Sequence, residues 1–96
     1  PAVALGFTCC EAIWERGPME FICGEGVIGQ AEKGELLTHL HAHGVTPDGK
    51  NFAGHFSPGG NPVLATIDLV IVEVDGAKLM RRHDPAVGLV MFSPEL

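Results

Sequence analysis

Ninety-six residues make one small domain, and six Lys+Arg against twelve Asp+Glu give it a formal charge of −6. That balance excludes the phosphate-neutralising surface on which nucleic-acid affinity rests, so direct DNA binding by this domain is not expected. With 46% apolar and only 19% charged residues, a single core of this size leaves apolar surface uncovered, and self-association is the ordinary way to cover it.

In chain order the sequence reads as short strands separated by turn residues. AVALGF (2–7) and EAIWER (11–16) read as strands, and GP (17–18) breaks the chain. MEFICGEGVIGQ (19–30) reads as a strand bulged or tightly packed at its glycines. Its Gly24, Gly26 and Gly29 spell G-x-G-x-x-G, but no helical pattern follows to hold a phosphate. LLTHLHAHGV (36–45) alternates cleanly: Leu36, Thr38, Leu40 and Ala42 face one way, and Leu37, His39, His41 and His43 the other.

TPDGK (46–50) is a strong turn, because Pro47 pre-sets one corner and Asp48-Gly49 supplies positive φ. It joins 36–45 to 51–56 as a hairpin. SPGGNP (57–62) is a loop, and a turn around Pro58–Val63 is the best helix candidate. VLATIDLVIVEV (63–74) is the longest β-branched run and reads as a central strand. A short strand, the turn Asp84-Pro85 and a last strand, LVMFSPEL, complete the chain.

Trp14 and the phenylalanines are expected in the core or an interface, and Arg81, Arg82 and Asp84 in surface or inter-subunit ion pairs. Cys9, Cys10 and Cys23 include no C-x-x-C, so reduced, mostly buried thiols in a cytoplasmic protein are expected. No signal peptide and no apolar run near 18 residues is present, so no membrane span is expected. The chain opens on Pro1 without methionine, which fits loss of an initiator Met as well as loss of an N-terminal segment.

Four of the five histidines fall between Leu37 and Phe56. Residues i and i+2 on a strand project to one face about 6.5–7 Å apart along the chain, and two imidazoles so placed can turn onto one metal ion. His39 and His43 are roughly 13 Å apart by the same rise. A single ion therefore takes His39 with His41, or His41 with His43. His55, on the second strand of the hairpin, can add a third nitrogen. Three histidines leave a fourth position open, the arrangement of catalytic rather than closed structural zinc. The bland alternative is a polar strand face or a set of satisfied histidines at a subunit boundary. His83 stands apart in RRHDP and reads as a solvated loop residue.

A cupin also presents H-x-H on a strand, but its glutamate after the H-x-H is absent here, and SPGGNP follows His55 instead of preceding a histidine. GEGVIGQ, HLHAHGVTPDGKNFAGHF, VLATIDLVIVEV and RRHDPAVGLVMF, in that order, resemble the PPC domain conserved in plants and prokaryotes, over about Phe21 to Phe92. That resemblance implies an α+β domain, mainly an antiparallel β-sheet with one or two short helices at most, spanning 1–96 and assembled as a homotrimer. It further implies a divalent metal ion, zinc or similar, held by His39, His41 and His55, with His43 outside the pattern.

Three departures stand out. Asp68 replaces the family's usual glutamate in the long strand, Ala53 stands in place of a second glycine, and the N-terminal strand–helix–strand portion is shortened or missing. Plant relatives resemble DNA-binding proteins through a separate basic AT-hook, and no such element occurs here. Relatives without the hook are of a type commonly labelled DNA-binding. The functional expectation is a homotrimeric metal-binding protein with a small-molecule or protein partner. The alternative is a metal-dependent enzyme, hydrolase-like or cupin-like, whose general base would be Glu25, Glu35 or Asp68.

Overall fold

A computed structural model describes residues 11–96. It contains five strands: β1 (Glu20–Gln30), β2 (Leu36–Val45), β3 (Asn51–Phe56), β4 (Lys78–Asp84) and β5 (Leu89–Glu95). Their hydrogen-bonded order is β3-β2-β1-β4-β5. The sheet is mixed: β2–β3 and β4–β5 pair antiparallel, and β1 pairs β4 in parallel with Gln30 opposite Met80. Among the described residues there is no helix, and 58–63 forms only bends and irregular chain. The mainly β expectation holds in this coarse form.

The chain contacts divide into two units, and the described part of one comprises 13–27 and 38–72. Its centre is the β2–β3 hairpin, in register from Leu40 opposite Phe56 to Val45 opposite Asn51. The turn between them is held as its residues dictate. The Thr46 amide donates to the Lys50 carbonyl and the Gly49 amide to the Thr46 carbonyl, each at 2.9 Å. Gly49 takes φ +85°, a conformation that costs side-chain-bearing residues roughly 1–2 kcal/mol. Thr46 is buried, and its hydroxyl accepts from the Lys50 amide at 3.0 Å, which satisfies a group whose isolation would be costly.

The described part of the second unit comprises 11–12, 28–37 and 73–96. In it the Ala31 amide donates to the Glu35 carbonyl at 2.9 Å to close the turn after β1. The β4–β5 hairpin pairs from Lys78 opposite Glu95 to Asp84 opposite Leu89, with Met80 buried. Arg82 pairs with Glu95, and Arg81 lies 5.4 Å from the centre of the Phe92 ring. Asp84 accepts from the Ala86 amide at 2.8 Å. Only Arg82 of the three expected ion-pair residues is thus in an ion pair among the described residues; Arg81 stacks, and Asp84 shapes its own turn.

Several expectations are corrected. Residues 11–16 are not a strand, and Trp14 is 81% exposed rather than core. The run 63–74 forms no strand among the described residues, although its β-branched content is the highest in the chain. Strand structure requires a hydrogen-bonding partner as well as propensity, and no described strand pairs with it. Val70 is accordingly 93% exposed and Leu64 85%. Cys23 is a free, exposed thiol on a strand that is exposed along most of its length. His83 is exposed as expected, but on β4 rather than in a loop. The strand expected at 2–7, together with Cys9 and Cys10, lies outside the described residues.

Candidate metal centre

Alternation along β2 sorts its side chains as its sequence does. Ala42 and Gly44 are buried, while His41 between them is exposed and His39 and His43 are half-buried. On β3 the pattern repeats, with Phe52, Gly54 and Phe56 partly covered and His55 exposed. The histidines therefore occupy the open face of the hairpin.

His41 and His55 are direct cross-strand partners. The Nε2 atoms of His39 and His41 are 3.0 Å apart, close enough for one neutral ring to donate and the other to accept. The His55 ring centre lies 4.4 Å from that of His39 and 5.6 Å from that of His41, parallel to the latter within 5°. His39 and His41 are tilted by 51° with centres 4.9 Å apart. The three rings form one compact triangle, leaning toward the start of β2 and away from His43.

His43 is committed elsewhere. Its Nε2 donates to Asn51 Oδ1 at 2.7 Å across the end of the hairpin. Strand spacing left His39 with His41 and His41 with His43 as equivalent pairs. In the folded chain only the first pair brings its nitrogens together, and the third ring of the hairpin leans on that pair.

The donor set fits a divalent cation of the zinc class, for which imidazole nitrogen is an ordinary ligand at about 2.0–2.1 Å. Two nitrogens 3.0 Å apart can share an ion at that bond length with an angle of roughly 90–97°, somewhat tighter than tetrahedral. As they stand among the described residues, no three or more His, Cys, Asp or Glu side chains are placed to hold a metal ion. What the structure shows is a pair, His39 and His41, at chelating distance, with the His55 ring beside it.

The glycines of β1 define what lies beside this face. A Cβ built on Gly24 would be 3.1 Å from the Ala42 Cβ, and one on Gly26 would be 3.1 Å from the Leu40 Cα. Moving two residues forward on β1 moves two residues back on β2, so the strands run antiparallel with Gly24 beside Ala42. Glu25 lies exposed on β1. Sequence periodicity placed Glu25 on a strand face but carried no register between β1 and β2. Of the other two candidate bases, Glu35 belongs to the turn after β1 and Asp68 lies exposed in the unpaired run.

No family model, curated protein or solved structure matches the chain. No helix among the described residues is long and apolar enough to cross a membrane.

Proposed function

We propose that His39, His41 and His55 hold one divalent metal ion, zinc or a cation of similar preference, in a cytoplasmic homotrimer of the PPC type. The observation that carries the metal reading is the 3.0 Å approach of the His39 and His41 Nε2 atoms, with the His55 ring stacked on His41 and tilted against His39. A polar strand face made of imidazoles gives no reason for three rings to gather while the fourth turns away to Asn51. When bound, the cation would act as a Lewis acid toward whatever oxygen or nitrogen occupies its remaining positions. The chain's own part is to supply neutral imidazoles from two strands fixed in register by the Thr46–Lys50 turn.

The PPC reading rests on the order of the motifs in the sequence, and the homotrimer on that resemblance together with the uncovered apolar run. Leu64, Leu69, Val70, Ile71 and Val72 are each more than two-thirds exposed, a larger apolar stretch than monomers ordinarily leave in water. A DNA-binding role is disfavoured by the charge of −6.

The test is metal analysis of protein purified without a His-tag. Wild type is expected to carry or take up close to one zinc per chain and His41→Ala far less. Absence of metal binding by the wild type at micromolar zinc would end this reading.

A further inference from the structure

We propose that 63–74 becomes a strand only by adding to an open sheet edge of a second copy of this chain, so that folding of the run and self-association are one event. The proposal rests on the homotrimer reading above, deepens it, and is independent of the metal. Its first basis is exposure on both sides. Successive residues of a strand point to opposite faces, yet Leu69, Val70, Ile71 and Val72 are each more than two-thirds exposed. A half-buried strand alternates apolar with polar residues, whereas an unbroken apolar run is the pattern of a strand enclosed on both faces. Within 63–74 only Asp68 and Glu73 are charged, too few to keep a bare β-branched segment from other chains.

The second basis is an unfilled place in the sheet. Among the described strands, β3 and β5 end the order β3-β2-β1-β4-β5, and each has one edge that no described strand pairs. An open edge is a template for another strand, and the run is a strand former without an edge. The chain thus carries both halves of a pairing that it does not make with itself, although only 57–62 separates β3 from the run. That link is held as a turn: Asn61 Nδ2 donates to the Ser57 and Gly59 carbonyls at 2.7 and 2.9 Å, and Gly59 and Gly60 both take φ +74°.

Area and symmetry select a second copy as the occupant. The apolar side chains of 63–74 offer on the order of 500 Å², the larger part of the roughly 800 Å² that each partner buries in a stable complex. Backbone pairing along the run supplies more. One chain's run against the next chain's edge is a head-to-tail contact, the kind that closes into rings, as a homotrimer requires.

The experiment is hydrogen exchange of the full chain, read segment by segment by mass spectrometry, at concentrations above and below the assembly midpoint found by light scattering. Amides of 63–74 are expected to exchange about tenfold or more slowly in the assembled protein. Those of the β2–β3 hairpin should exchange alike at both concentrations and report that the chain stays folded. Val70→Asp should keep the hairpin protected and lose protection of 63–74 where wild type is assembled. If Val70→Asp assembles and protects the run as wild type does, the proposal is overturned, because a strand enclosed on both faces does not admit a carboxylate. Equal protection of 63–74 in the single chain and the assembly would show pairing within one chain and overturn it too. An assembly that leaves 63–74 unprotected overturns the proposal while the homotrimer reading stands on another surface. A wild type that stays monomeric with the run unprotected ends the homotrimer reading and the proposal with it.

Discussion

Replacing Gly26 by alanine tests the contact on which the architecture of the site depends. A Cβ at this position would collide with the His39 carbonyl oxygen and stand 3.1 Å from both the His39 carbonyl carbon and the Leu40 Cα. All of these are backbone atoms, so no side chain can swing aside. Relaxed carbon–oxygen contacts between strands fall at about 3.3–3.6 Å, and β1 must therefore draw away from β2 by an appreciable fraction of an ångström.

Overpacking of this kind costs about 1–3 kcal/mol, and each strained ladder hydrogen bond adds about 1 kcal/mol. A loss of about 3 kcal/mol is expected. With an unfolding entropy of about 2.1 cal/mol/K per residue over 96 residues, that loss lowers Tm by about 15 °C. Thermal unfolding followed by circular dichroism reads it. Gly49→Ala serves as the comparison: its Cβ meets nothing within 4 Å, and its positive φ alone costs about 1–2 kcal/mol, so its Tm should fall by about 5–10 °C. Because the collision partner is the backbone of His39, Gly26→Ala should also weaken metal uptake, while Gly49→Ala should not. A Gly26→Ala protein that melts within 3 °C of wild type would refute the close approach of Gly26 to the His39 backbone.

Other outcomes follow from the same structure. His43→Ala should leave zinc stoichiometry unchanged in calorimetric titration, because its ring is bonded to Asn51; loss of the metal would place His43 in the site. Val70→Asp, at a position 93% exposed in the single chain, should shift the mass measured by light scattering from trimer toward monomer, and an unchanged trimer would remove 63–74 from the interface. Arg82→Ala should cost no more than about 1 kcal/mol, since both partners of the Arg82–Glu95 pair are 47% exposed and water screens them; urea unfolding decides it. Anisotropy of a labelled DNA duplex at low salt should show no salt-sensitive binding, and steeply salt-dependent affinity would contradict the electrostatic argument.

What the sequence determined about this protein is local. Asp48-Gly49 after Pro47 dictated a turn, alternation in 36–45 put His39, His41 and His43 on one face, and together they dictated a hairpin able to bring His55 beside them. The H-x-H spacing narrowed the metal geometry to two pairs. None of these needs a contact from beyond the hairpin, because φ preferences and the period of two are properties of short segments.

Only the tertiary structure decided the remainder. The lean of His55 toward His39 and the bond from His43 to Asn51 separate the two pairs, and each depends on side-chain packing that spacing does not encode. How closely β1 approaches β2 depends on Gly24 and Gly26, where an added Cβ would meet Ala42 and the His39 backbone. The run 63–74 shows the limit most plainly. Its residues favour a strand, yet a strand is a pairing between segments, and no described strand completes it.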